Sequence, residues 1–264
     1  MNYLESLVLG IIQGITEFLP ISSSGHLEIG KALFGTTASA EESLFLTLAL
    51  HTATALSTLV VFRKEIGVIL GGLFQLKINE SWIFAVKIIL SMIPAVFIGL
   101  FFEEKITALF DENILLVGVL LLVTAGLLFW ADRAKATSKD MGYNNAVLIG
   151  IVQAIAILPG ISRSGATIAT AVLLGIDRTK AARFSFLMVL PLIFGSMAKS
   201  ILDAENTAGS NTAVLPLLLG FVAAFVTGII ACKWMIRIVQ KSQLKYFSLY
   251  CALVGFSAIL YELI

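Results

Sequence analysis

The chain has 264 residues, of which 58% are hydrophobic and 13% charged, with a mean hydropathy of +0.97. That balance excludes a soluble globular domain of this size and makes the lipid bilayer the solvent. The net charge of +1 decides nothing by its size, so the placement of the charges carries the information, and no nucleic-acid partner is expected.

The N-terminal stretch MNYLESLVLG holds Glu5 and no basic residue, so it does not read as a cleaved signal peptide. Residues 1–34 are apolar but interrupted by Glu17, Pro20, three serines and His26. Pro20 and Gly25 bracket a short non-helical turn. The expectation is two half-helices joined at mid-depth, a re-entrant hairpin, which is tolerated where the irregular backbone lines a cavity.

Residues 44–62 read as a spanning helix broken only by His51, which is expected to pack or to bond a neighbouring helix. Arg63, Lys64 and Glu65 end it. Residues 66–76 are short for a span, and are expected at the interface or as an extension of the next helix. Residues 82–102 and 114–131 read as spans, and the polar stretch 132–144 separates two halves.

Residues 145–175 repeat the hairpin pattern, and 184–202, 213–232 and 246–261 are three more spans. Lys87 and Lys199 sit inside span ends and are expected to snorkel. Arg178, Lys180 and Arg183 form a charged cluster expected to set topology. Cys232 and Cys251 lie in apolar segments and imply no disulfide framework.

The fold class expected is therefore all-α and integral to the membrane, with six transmembrane helices plus two re-entrant helical hairpins. One membrane domain, 1–264, contains internal repeats 1–131 and 145–264 joined by a cytoplasmic loop 132–144.

The repeat is visible residue by residue. GIIQGITEFLPISSSG at Gly10–Gly25 recurs as GIVQAIAILPGISRSG at Gly150–Gly165, and eight of sixteen positions are identical. The differences carry charge: the first copy alone has Glu17 and the following His26, the second alone has Arg163. Unlike polar groups on a duplicated scaffold imply one site built from two halves.

Charge also orients the chain. The segments 63–80, 132–144, 177–183 and 233–245 hold 13 of the 18 Lys and Arg. The N-terminus, 28–42, 103–112, 203–212 and the C-terminus hold only Lys31 and Lys105, yet 11 of the 17 acids. The first set is therefore expected inside, with both termini outside and Trp82, Trp130 and Trp234 at the inner ends of spans. The two hairpins then enter from opposite sides, as in an inverted-topology repeat whose half-helices meet at a shared site.

Each polar position has a chemical reading. Gln13 and Glu17 are four apart and share a helix face. A carboxylate there suits a hard divalent cation or a proton, or it pairs structurally with Arg163 or a serine. Ser22, Ser23 and Ser24 precede Gly25 and His26, and Ser23 with His26 forms a minimal nucleophile–base pair. The serines equally suit helix capping. Ser162, Arg163, Ser164, Gly165 and Thr167 form an anion cradle in which Arg163 offers a planar fork of donors to phosphate.

QGITEFLPISSSGH followed by PGISRSGAT resembles the undecaprenyl-pyrophosphate phosphatase family, the bacitracin-resistance type of the bacterial inner membrane. The resemblance covers the whole chain in length and span order. It implies a catalytic set of Glu17, Ser23, His26 and Arg163, and diphosphate contacts from Ser22, Ser24, Gly25, Ser162, Ser164, Gly165 and Thr167. It also implies Mg²⁺ or Ca²⁺ at Glu17 and Gln13.

Many family members carry Glu where this chain has Gln13, and a neutral amide weakens a two-carboxylate metal site. The implied reaction is hydrolysis of a polyprenyl diphosphate, recycling the cell-wall lipid carrier. Ser23 as nucleophile with His26 as base, and direct attack by water activated at His26, both remain open here. The rival from another class is an inverted-repeat transporter or flippase of an anionic lipid or solute. The expected partners are the polyprenyl diphosphate and the bilayer, and a homodimer is left open.

Overall fold

The computed structural model describes residues 2–34, 40–75, 77–102, 114–204 and 214–263. The segments 103–112, with Lys105, and 203–212, which charge assigns to the outside, and part of 28–42 lie largely or wholly outside these residues. Among the described residues there are eleven helices and no strand. They are α1 (Tyr3–Thr16), α2 (Ser23–Phe34), α3 (Ala40–Val61), α4 (Arg63–Leu73), α5 (Glu80–Phe101), α6 (Ile114–Arg133), α7 (Tyr143–Ile155), α8 (Arg163–Leu173), α9 (Arg178–Ala204), α10 (Val214–Gln240) and α11 (Lys245–Leu263).

Five of these helices are long and apolar enough to cross a membrane, and a sixth span results if α3 and α4 are counted together. The protein is therefore a multi-pass membrane protein. Large side chains left exposed, such as Phe256 and Ile230 at 64% and 63%, are those of a surface facing hydrocarbon.

The stretch at 66–76 belongs mainly to a helix of its own, bent by 78° from Phe45–Val61. The bend falls at Phe62, whose backbone (φ −97°, ψ 13°) leaves the α-region between two helical segments. The predicted span 184–202 begins earlier, at Arg178, because the basic cluster is built into the helix start. Arg178 donates to the carbonyls of Ala131, Asp132 and Ala134, satisfying the orphan acceptors at the end of α6. Lys180 pairs with Asp140, and Arg183 lies 3.0 Å from Glu65. Cys232 and Cys251 are both packed at 0% exposure rather than facing lipid.

Small residues set the closest helix crossings, as expected where no hydrophobic force drives helices together in lipid. A Cβ on Gly10 of α1 would lie 2.3 Å from Gly220 O on α10, and one on Gly150 of α7 would lie 2.5 Å from Ser91 O on α5. Each crossing joins a helix of one sequence half to a helix of the other. α6 and α11 cross where Gly118 meets Gly255.

Between α1 and α2, and again between α7 and α8, a short turn replaces helix at the places the repeat indicated. α6 and α11 hold these turns: Thr124 accepts from Ser162 N at 3.1 Å, and Cys251 Sγ donates to Pro20 O at 3.5 Å.

Candidate active site

The two turns face each other. Ser164 Oγ donates to Leu19 O at 3.4 Å, and a Cβ on Gly165 would lie 3.0 Å from Pro20 Cβ. The same local bonds recur in both. Ser22 Oγ accepts from Gly25 N at 3.4 Å, as Ser162 Oγ does from Gly165 N at 3.1 Å. Ser22 and Ser24 hydroxyls are 3.4 Å apart, as are those of Ser162 and Ser164. Ser22 and Ser162 thus cap two helix starts, Ser24 and Ser164 lie beside the capping hydroxyls, and the residue between each pair differs: Ser23 opens α2 and Arg163 opens α8.

Both of those residues converge on Glu17. Arg163 Nη2 donates to Glu17 Oε1, Ser23 Oγ donates to Glu17 Oε2 at 2.8 Å, and Gln13 Nε2 donates to the same oxygen at 3.0 Å. The Glu17 side chain is 4% exposed, so its buried charge requires this set of partners. Ser22 reaches its place with a left-handed backbone, φ 69°, which is strained for a residue other than glycine. In the second turn the left-handed position is Gly160, φ 97°, where no such strain arises.

A cavity of about 720 Å³ opens over this cluster. Of the residues singled out from sequence, Glu17, Ser23, Ser24, Ser162, Arg163 and Ser164 line it. Gln13, Ser22, Gly25, His26, Gly165 and Thr167 stand outside that lining. Thr167 donates to Arg163 O at 2.8 Å and shares a hydrogen bond with Ser185, so it braces the first turn of α8.

The Ser23–His26 hydrogen bond expected from their spacing is not the one observed. His26 Nδ1 is 2.8 Å from Ser22 O, and Nε2 is 2.8 Å from the Tyr250 hydroxyl on α11. Ser23 turns to Glu17 instead. His51, read from sequence as packing or bonding a neighbouring helix, lines the cavity with Nε2 3.9 Å from Glu17 Oε2. Its signal was an ionisable residue in the middle of an apolar span, which by default faces the bundle interior.

The donor set also bears on a metal. Among the described residues no group of three or more His, Cys, Asp or Glu is placed to hold one. Gln13 Oε1 is nevertheless buried without a partner beside Glu17. An amide oxygen, a carboxylate and a serine hydroxyl are the hard oxygen ligands that Mg²⁺ or Ca²⁺ takes when a phosphate supplies the rest. The residues present fit such an ion.

A family profile described as bacitracin resistance protein BacA matches residues 6–257. The chain belongs to that family. A relative in Christiangramia forsetii named undecaprenyl-diphosphatase is 59% identical over 261 residues, covering 99% of this chain and 98% of that one. A relative of the same name in Bacteroides fragilis is 48% identical, covering 97% and 96%. One in Methanococcus vannielii, also so named, is 40% identical, covering 98% and 100%. The similarity therefore runs through both turns and every span.

Proposed function

We propose that this protein hydrolyses undecaprenyl diphosphate to undecaprenyl phosphate and inorganic phosphate, so returning the cell-envelope lipid carrier to use. The observation that carries this reading is the Ser23 hydroxyl held by Glu17 beside Arg163, at a cavity inside an apolar bundle. The substrate is an amphiphile, and this arrangement offers a cation and helix N-termini to its diphosphate.

In the proposed reaction Ser23 Oγ attacks the terminal phosphorus. The bond from that phosphorus to the bridging oxygen breaks, and undecaprenyl phosphate leaves. The hydroxyl proton passes to Glu17 Oε2, which already accepts its hydrogen bond. Arg163 stabilises charge on the transferring group. Water then attacks the phosphoserine, the bond from phosphorus to Ser23 Oγ breaks, the proton on Glu17 returns to Ser23 Oγ, and the water's proton leaves with the inorganic phosphate. Glu17 and Gln13 would hold a divalent cation, which when bound would neutralise charge on the diphosphate.

A transporter of an anionic lipid would also use broken helices and an arginine. It has no need of a serine hydroxyl bonded to a buried carboxylate. Purified protein in detergent, with no second compartment, is expected to release phosphate from undecaprenyl diphosphate. Failure to do so with folded protein would sink the phosphatase reading.

The proposal extends to the arrangement in the membrane. The two helix–turn–helix units are re-entrant and inverted relative to each other, in repeats 1–131 and 145–264, and both termini are periplasmic in a bacterial inner membrane. The support is the Lys/Arg asymmetry together with the exchange of partners, α1 on α10 and α7 on α5. In intact cells Ser138→Cys is expected to be shielded from an impermeant thiol reagent and Ala208→Cys to label. Ala208 lies outside the described residues. The native thiols are buried and give a low background. The opposite labelling pattern would overturn the orientation.

A further inference from the structure

The two crossings that join the sequence halves begin alike and end differently. α1 and α10 stay in contact one turn past Gly10: a Cβ on Gly14 would lie 1.9 Å from Thr227 Oγ1. The residue 140 positions after Gly14 is Ala154, which already carries that Cβ. α7 and α5 therefore cannot close up in the same way past Gly150. On the facing helix, Pro94 interrupts the α5 ladder, and a Cβ on Gly99 would meet nothing within 4 Å. Between them lies a second cavity, of about 390 Å³.

That cavity is walled by Pro94, Phe97 and Ile98 of α5, by Ala154 and Ile155 of α7, and by Ile157 in the turn that follows. Every side chain lining it is apolar. Ile157 also lines the cavity over Glu17 and Arg163, as does Ala95, next to Pro94. The two spaces thus share a wall. Outward the groove meets lipid, since Phe97 is 54% and Ile155 is 52% exposed.

We propose that this groove between α5 and α7 binds the first isoprene units of the substrate's polyprenyl chain and leads the rest into the bilayer. The inference rests on the phosphatase reading above and adds where the lipid goes. The occupant follows from chemistry. A long hydrocarbon joined to a diphosphate at the catalytic cavity must leave that cavity through an apolar passage, and this one borders it at Ile157. In the orientation proposed above, Phe101 ends α5 on the outer side, so the chain enters the outer leaflet.

The test fills the groove from either wall, with Ala154→Phe on α7 and Ile98→Trp on α5, and Val226→Trp on the lipid-facing side of α10 as control. Each variant is assayed at matched folded amounts, judged by monodispersity and Tm. The substrates are undecaprenyl diphosphate and methyl diphosphate, which has no isoprene unit to place in the groove. Both groove variants are expected to lose about ten-fold or more in kcat/KM on the long chain while staying within about two-fold on the short one. Val226→Trp should match the native protein on both.

Unchanged long-chain turnover in both groove variants, or equal losses on both substrates, would overturn the proposal. A second measurement does not depend on turnover. Native protein and Ser23→Ala are irradiated with an undecaprenyl diphosphate carrying a photoreactive group on its second isoprene unit. Label is expected within 94–98 and 151–158, and label confined to other helices would overturn the groove. Were phosphate release absent while this label appeared, the phosphatase reading would fall and the groove would stand.

Discussion

Ser23→Ala is expected to reduce phosphate release by on the order of a thousand-fold or more, as breaking a catalytic unit does. The expectation rests on the 2.8 Å bond from Ser23 Oγ to Glu17 and on the position of Ser23 at the cavity wall. Ser22 and Ser24 are internal controls. Their hydrogen bonds recur at Ser162 and Ser164, so Ser22→Ala costs about what a helix cap does, roughly 0.5–2 kcal/mol of stability, and Ser24→Ala, which loses only a bond to the capping hydroxyl, costs no more, both with little loss in rate.

The measurement is phosphate release by each variant at matched folded amounts. A Ser23→Ala protein keeping more than about a tenth of the native rate, roughly 1.4 kcal/mol on the barrier, would exclude covalent catalysis at Ser23. The geometry also names the coupled partner. Glu17→Gln and Ser23→Ala should be strongly non-additive, because each removes the same proton transfer. His26→Ala should instead add to Ser23→Ala, since both ring nitrogens of His26 are bonded elsewhere, to Ser22 O and Tyr250. Non-additivity with His26 would make the histidine the base.

That difference marks where reading the sequence stopped being enough. Spacing shows that Ser23 and His26 are three apart, but three residues turn a helix by about 300°, leaving the two directions roughly 60° apart. One direction meets Glu17 at the end of α1 and the other meets α11, and only the packed chain distinguishes them. The turns themselves were legible because a duplicated motif broke two apolar runs with Pro, Gly and Ser. The spans were legible because the bilayer imposes a length. His51 was legible too, although the reading stopped short of it: Thr47, His51, Thr54 and Thr58 fall at helical spacing on one face of α3, and Thr47 and His51 line the cavity. The bend at Phe62 left no Gly or Pro at the break, and the exit groove depends on one methyl group, the Cβ of Ala154, that matters only against α5.

Arg163→Lys is expected to lose activity by about a hundred-fold or more although the charge is kept. Arg163 opens α8 with a guanidinium that donates to Glu17 Oε1 and still lines the cavity, with 26% of its side chain exposed. One edge of the fork can therefore hold the carboxylate while another faces the diphosphate. A lysine ammonium is a single point and cannot span both.

If it stays with Glu17 the phosphate loses its partner. If it moves to the phosphate, the Glu17 carboxylate is left buried and short of a counter-charge, which costs about 3–5 kcal/mol where a buried pair is broken. The two cases separate in kinetics. Loss of the phosphate partner raises KM and, because Arg163 also stabilises the transferring group, lowers kcat, whereas a displaced Glu17 lowers kcat without raising KM, because Ser23 loses the oxygen that takes its proton. Arg163→Lys is expected to show both effects, and Arg163→Ala a larger fall in kcat with a lowered Tm. Near-native turnover in Arg163→Lys would mean that a point charge suffices, and the two-sided role of the guanidinium would be wrong.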